Sequence, residues 1–337
     1  MSLPTRQLGR NGPQVTAMGF GLMGLSAFYG SMGDEAERFA FLDHLYASGE
    51  RFWDTADMYG DSEDLLGRWF KKNPGARETI FLASKFGFTP DRTIRSDPAY
   101  AKEACARSLS RLGIDHIDLY YVHRVDTVTP IEDTVEALVD LKKQGKIRYI
   151  GLSEVSPTTL RRACAVHPIA AVQMEYSPFE LIVEQPKDTG LLATCRELGV
   201  ALVAYSPLGR GLLTGQYRSP ADFGKDDFRV MMPRFSPENF PKNLALVDTL
   251  SSLASSKGCT TSQLTLAWLM HQGDDIFPIP GTKKIKYYDD NLGALSVKLT
   301  DAEAAAIRTA VDSAEIVGER YPPQMSVALM ADTPEKK

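Results

Sequence analysis

Ile80-Phe81-Leu82-Ala83-Ser84-Lys85 is the stretch that decides the fold. Four apolar residues follow one another without alternation, and the run stops at a serine and a lysine. A strand with one wet face alternates apolar and polar residues. An unbroken apolar run instead fits a strand covered on both faces, as in a parallel sheet flanked by helices. The neighbouring segments agree. Upstream, a strand over 51–54 ends in Phe52-Trp53-Asp54, and Asp61 or Ser62 opens a helix to about Phe70. Downstream, Ala101, Ala104, Cys105, Ser108, Leu109 and Leu112 share one face of a helix over 98–112. His116 to His123 is the next strand.

The alternation continues in both directions. A helix over 131–144 stops before Gly145, and Ile147 to Ser153 is a strand. Ser156-Pro157 supplies an N-cap and a first-turn proline. Strands follow at 170–174, 200–205 and 276–279, with a helix at about 188–198. Toward the N-terminus, a helix over 34–48 precedes the Trp53 strand, and Met18 to Gly24 is an apolar strand ending in glycines. Asn11-Gly12 marks a hairpin over 5–19. Eight such strands closing on themselves predict an α/β fold, a (β/α)8 TIM barrel with an N-terminal β-hairpin and long loops over its C-terminal face, as one domain over 1–337. The rival is a doubly wound open sheet, for which Gly19, Gly21 and Gly24 match GxGxxG by spacing. That fingerprint needs a helix at its third glycine, and Ser26 to Gly33 reads as loop. Two segments lack periodicity: Ser206 to Glu238, long enough to be a lid, and the tail from Glu319 to Lys337. Between the last strand and the tail, Thr300-Asp301-Ala302-Glu303 opens a helix to about Val317.

With 337 residues, 43% hydrophobic and 24% charged, the chain can bury a sizeable core. A formal charge of −5 gives no reason to expect nucleic acid or an anionic membrane as partner. Cys105, Cys164, Cys195 and Cys259 form no CxxC pair, which fits reduced thiols in a cytoplasmic protein. No secretory signal, metal-ligand spacing or transmembrane run is expected. Nothing in the sequence speaks to oligomeric state.

A parallel barrel brings every strand end to one mouth. Asp54 and Tyr59 follow the second strand, Lys85 ends the third and His123 ends the fourth. Singly, each has a plain structural reading: a loop cap, a packed ring, a surface lysine, a core histidine. Together they can move a proton to a carbonyl oxygen. A free phenol has a pKa of about 10, and a neighbouring ammonium is expected to lower it. Asp54 would pair with Lys85, and His123 would orient the carbonyl. None of these is a hydride donor, so the hydride must come from a cofactor. Lys85 also admits a rival reading as the Schiff-base lysine of a lyase or isomerase.

These residues carry a resemblance. Asp54…Tyr59-Gly60, Ser84-Lys85, Tyr121-Val122-His123-Arg124, Gly151-Leu152-Ser153, Gln173, Ala204 to Gly211 and Pro278 to Lys283 together resemble the aldo-keto reductase superfamily, most closely its microbial and plant branch of aldehyde, pyridoxal and ketone reductases. The resemblance covers Arg6 to about Asp312. It implies NADPH-dependent reduction of a small carbonyl substrate with Tyr59 as general acid, and Asp54, Lys85 and His123 as its catalytic partners. By the same resemblance, Ser153 and Gln173 hold the nicotinamide carboxamide and Tyr205 stacks on its ring. Ser206, Pro207, Leu208, Arg210 and Gly211 wrap the pyrophosphate, with Gly24 at the close approach after the first strand. Gly281, Thr282 and Lys283 meet the 2′-phosphate, and Asp290 and Asn291 lie near the adenine. Phe28, Tyr29, Phe86, Phe88 and Arg124 are expected around the substrate. Two positions depart from the pattern. Glu154 stands where many members have asparagine, and it can still accept from the carboxamide. Tyr287 stands where many have arginine, which weakens phosphate recognition and leaves room for some NADH use. The family also holds cofactor-binding channel subunits with little turnover, the alternative to a working enzyme.

Overall fold

The N-terminal hairpin of the computed structural model pairs β1 (Thr5–Gln7) with β2 (Gln14–Thr16), and the turn between them uses Asn11 at a φ of 62°. The structure describes residues 3–30, 32–185, 190–326 and 328–337. Eight parallel strands follow: β3 (Phe20–Gly21), β4 (Phe52–Asp54), β5 (Phe81–Phe86), β6 (Ile117–Val122), β7 (Ile147–Ser153), β8 (Ala171–Glu175), β9 (Ala201–Tyr205) and β10 (Ile276–Pro278). They pair in chain order. The first and last meet through backbone bonds from Gly19 N to Pro278 O (3.0 Å) and Gly21 N to Pro280 O (3.3 Å), which closes the (β/α)8 TIM barrel. Glycine is required at that seam: a Cβ on Gly281 would lie 2.5 Å from the Gly21 carbonyl oxygen.

Strand periodicity sorts the side chains. Phe52, Ala83, Leu119, Ala171, Val203 and Phe277 fill the barrel, and Leu8 and Val15 of the hairpin plug its lower end. Trp53, Leu82, Tyr120, Ile150, Val172 and Leu202 point outward into the layer under the helices. Two residues above Phe52, Ala83 and Ala171, the same inner face carries Asp54, Lys85 and Gln173. The apolar core thus turns polar at the top of the barrel, and this polar layer is the floor of the site.

The crossover helices lie where periodicity places them: Glu35–Ala47, Ser62–Lys72, Pro98–Leu112, Ile131–Lys143, Pro157–Val166 and Leu191–Leu198. Residues 188 and 189 of the helix expected over about 188–198 lie outside the described residues. Asp34, Asp97 and Ser156 cap three of them by accepting from backbone N–H groups. Phe240–Lys257, Thr261–His271 and Ile285–Leu292 are further helices not anticipated above. Thr261–His271 is buried on nearly every side, so its apolar residues show no one-sided stripe. The helix opened by Thr300 ends at Asp312 rather than near Val317. There Asn243 takes over: its Nδ2 donates to Val317 O (3.0 Å) and its Oδ1 accepts from Val317 N (2.9 Å). Among the described residues, no helix is long and apolar enough to cross a membrane.

Candidate active site

Four strand ends deliver the expected groups to one point. Lys85, fully buried, donates to Asp54 Oδ1, to Thr55 O (2.8 Å) and to the Tyr59 hydroxyl (3.3 Å). Gln173 Nε2 donates to the other Asp54 oxygen at 2.8 Å. The His123 ring meets Tyr59 edge-on, with centroids 5.8 Å apart, and Phe88 packs against its other side at 5.1 Å. Tyr59 rides on a turn that Arg111 braces, with Nη1 donating to Asp57 O (2.9 Å) and Nη2 to Gly60 O (2.7 Å). Sequence alone carried no signal for that brace.

The charge states follow from burial and neighbours. Burial opposes the Lys85 ammonium, but Asp54 more than restores it, so Lys85 stays above its ordinary value. A lysine held as a paired ammonium is a poor Schiff-base nucleophile, which counts against the lyase reading. Burial raises the Tyr59 phenol, and the Lys85 charge only partly offsets this. The net shift is upward, against the expectation that the ammonium would win. Tyr59 therefore keeps its proton at neutral pH. Burial, with Arg124 and Lys85, pushes His123 well below the ordinary histidine value, so the imidazole is neutral.

Above this floor lies a cavity of about 1470 Å³. Tyr59, His123, Ser153, Gln173 and Tyr205 line it, as do Lys283, Tyr287, Asp290 and Asn291. Gly24, Ser206, Pro207, Leu208, Arg210, Gly211, Gly281 and Thr282 line it too. Ser206, Gly209, Arg210 and Gly211 all take positive φ, which coils this loop around the cavity. Lys283 donates to the Tyr29 carbonyl. Asp290 is engaged, accepting from Thr260 (3.1 Å) and Gln263 (3.2 Å). The stretch after Ser206 is a chain of short 3-10 turns reaching Phe235, and it crosses to the β3 loop, where Phe228 N donates to Phe28 O at 3.1 Å.

A family model described as the aldo/keto reductase family matches residues 17–312. The chain belongs to that family. It is 54% identical over 340 residues to the aldo-keto reductase str7 of Strobilurus tenacellus, covering 99% of each. It is 51% identical over 341 residues to the NADP(+) aldo-keto reductase yakc of Schizosaccharomyces pombe, again covering 99% of each. Among solved structures, the glycerol dehydrogenase of Gluconobacter oxydans superposes with a TM-score of 0.82 at 27% identity, over 96% of this chain and 99% of that one. A thermostable aldo-keto reductase bound to the inhibitor epalrestat gives 0.74 at 28% identity, over 91% and 100%.

Within this family frame, two expected site residues lie elsewhere. Phe86 follows the inward-pointing Lys85 on β5 and so faces outward. It is fully buried and stacks on Tyr120 at 5.1 Å, not against the cavity. Phe28, Tyr29, Phe88 and Arg124 do line it. Glu154 also leaves the cavity: its carboxylate is fully buried and accepts from Tyr205 OH (2.7 Å) and from both Nη atoms of Arg320. Sequence reasoning missed Arg320 and Tyr321, since the tail has no periodicity. Tyr321 lines the cavity and lies under the Arg210 guanidinium, 4.3 Å from its ring centroid.

Proposed function

We propose that this protein is an NADP-dependent oxidoreductase that reduces aldehydes or ketones to alcohols, with Tyr59 as general acid. The observation that carries the reading is the Lys85–Tyr59–His123 constellation beside a large cavity that Arg210, Lys283 and Lys284 also line. The cavity residues fit a dinucleotide: Gln173 and Ser153 at the nicotinamide end, the coiled loop from Ser206 to Gly211 at the pyrophosphate, and Lys283 at the 2′-phosphate. The bound cofactor supplies the hydride. The name of the S. pombe relative points the same way.

Each side chain then has a task. The neutral His123 binds the carbonyl oxygen and orients it toward Tyr59. Tyr59 donates its proton as negative charge grows on that oxygen. Lys85 faces the hydroxyl at 3.3 Å and stabilises the phenolate left behind. Asp54, fixed by Gln173, keeps Lys85 charged and in place. Phe28, Tyr29 and Phe88 give the substrate end an aromatic lining suited to apolar or aromatic carbonyl compounds. Some NADH use is consistent with Tyr287 in the arginine position. One domain in the cytoplasm, with residues 206–238 and the tail folded over the mouth, completes the reading, and four free cysteines fit a reducing compartment.

The test follows NADPH absorbance with a panel of aromatic aldehydes and pyridoxal. Tyr59→Phe is expected to lower kcat by about 10²–10⁴-fold while NADPH binding is retained. Wild-type protein that binds NADPH but turns over no carbonyl would point instead to an accessory role.

A further inference from the structure

Arg320 enters the site from the tail, beyond the residues 17–312 that match the family. Its guanidinium donates Nη1 to Glu154 Oε1 at 3.1 Å and Nη2 to Oε2 at 3.2 Å. It also stands 3.6 Å from Glu175 and 3.5 Å from Glu180. Carboxylates from the ends of β7 and β8 and from the loop beyond thus converge on one arginine. Arg210 pairs with Glu175 at 3.1 Å and donates to the Arg320 carbonyl at 3.1 Å, and Arg234 pairs with Glu180 at 2.9 Å. Three cations face three anions in a buried space, and each charge is tolerable only while its partner is present.

Glu154 is the anion nearest the proposed chemistry. It follows Ser153, which lines the cavity, and it accepts from the hydroxyl of Tyr205, which also lines it. Its backbone is left-handed, with a φ of 51°, a strained setting for a residue other than glycine. The tail helps to hold it there: Ala331 N donates to Glu154 O (3.1 Å) and Ser156 N to Ala331 O (3.2 Å). Burial pushes the Glu154 carboxyl up, and Arg320 and Arg124 more than reverse this, so it remains ionised.

We infer that Arg320 is a positioning residue that cancels the Glu154 charge behind Tyr205 and thereby sets the relative affinity for the oxidised and reduced cofactor. The inference rests on the reading of Tyr205 as the nicotinamide platform. The oxidised ring carries a formal positive charge and the reduced ring none. An uncancelled carboxylate behind the platform favours the oxidised form, whereas the Glu154–Arg320 pair favours neither. A scaffold role for Arg320 would alter both affinities alike.

The experiment measures dissociation constants of NADPH and NADP+ by calorimetry for the full chain, with circular dichroism as a folding check. For R320M, the ratio of Kd for NADPH to Kd for NADP+ is expected to rise about fivefold or more. E154Q removes one negative charge beside Tyr205 while Arg320 keeps Glu175 and Glu180, and should move the ratio the other way. R320M/E154Q should return to within about twofold of wild type, and R320K should stay there. If R320M does not fold, E154Q decides alone, because glutamine matches the shape of glutamate and still accepts from Tyr205. An unchanged ratio in E154Q, or equal weakening of both forms in a folded R320M, overturns the inference. Wild-type protein that binds neither form overturns the cofactor reading itself, an outcome distinct from an unchanged ratio.

Discussion

Glu50 shows at a single residue how position outweighs type. It sits just before β4, buried, and its Oε1 accepts from Thr16 Oγ1 and from Phe52 N (2.7 Å). Its Oε2 is buried with no partner among the described residues, the arrangement of a carboxyl that keeps its proton. Burial raises its pKa to about 7. The folded state therefore holds a proton that the unfolded chain releases near pH 4.5, and stability must fall as pH rises from about 5 to 7. Glu50→Gln is expected to flatten that fall by an amount on the order of 3 kcal/mol at most, read from urea melts at pH 5 and pH 7.5. Asp57, raised to about 7 by burial and by Glu63, keeps part of the slope. A slope unchanged in the variant would mean that Glu50 is ionised in the fold. The sequence shows a glutamate before an apolar run; only its burial in the fold makes it a neutral acid, against the hydrogen bonds from Thr16 and Phe52, which favour the carboxylate.

At the scale of elements, the barrel seam is the sensitive join. β3 is two residues long, and its pairing with the β10 side depends on backbones that approach too closely for a Cβ at Gly281. Gly281→Ala is expected to destabilise by about 1–3 kcal/mol, seen as a lower Tm, and to weaken NADPH binding because Gly281 lines the cavity. A wild-type melting curve would show that the seam yields without strain. The crossover helices were legible because most are amphipathic and three are opened by a capping side chain. Thr261–His271 was not, because burial on nearly all sides erases the stripe, and neither was the path beyond Asp312, because the side chain that holds Val317, Asn243, lies 74 positions away in the chain.

For the whole molecule, the cavity joins the catalytic floor to the 206–235 turns and the tail. A ligand that fills it should stabilise the fold as a unit. NADPH at a hundred times its Kd is expected to add about 2.7 kcal/mol, visible as a rise in Tm that scales with the logarithm of its concentration. A Tm that does not respond to NADPH would show that the cavity does not take this cofactor.

The sequence by itself determined the barrel, the hairpin, the order of strands and the convergence of Asp54, Tyr59, Lys85 and His123. These follow from strand periodicity and from the rule that parallel strands end at one face. The tertiary structure alone decided the direction of the Tyr59 shift, which depends on how deeply the phenol is buried. It turned Phe86 outward, since the neighbour of an inward lysine must face the helices. It also drew Glu154 from the cavity to Arg320, an encounter between residues 166 positions apart that no local pattern records.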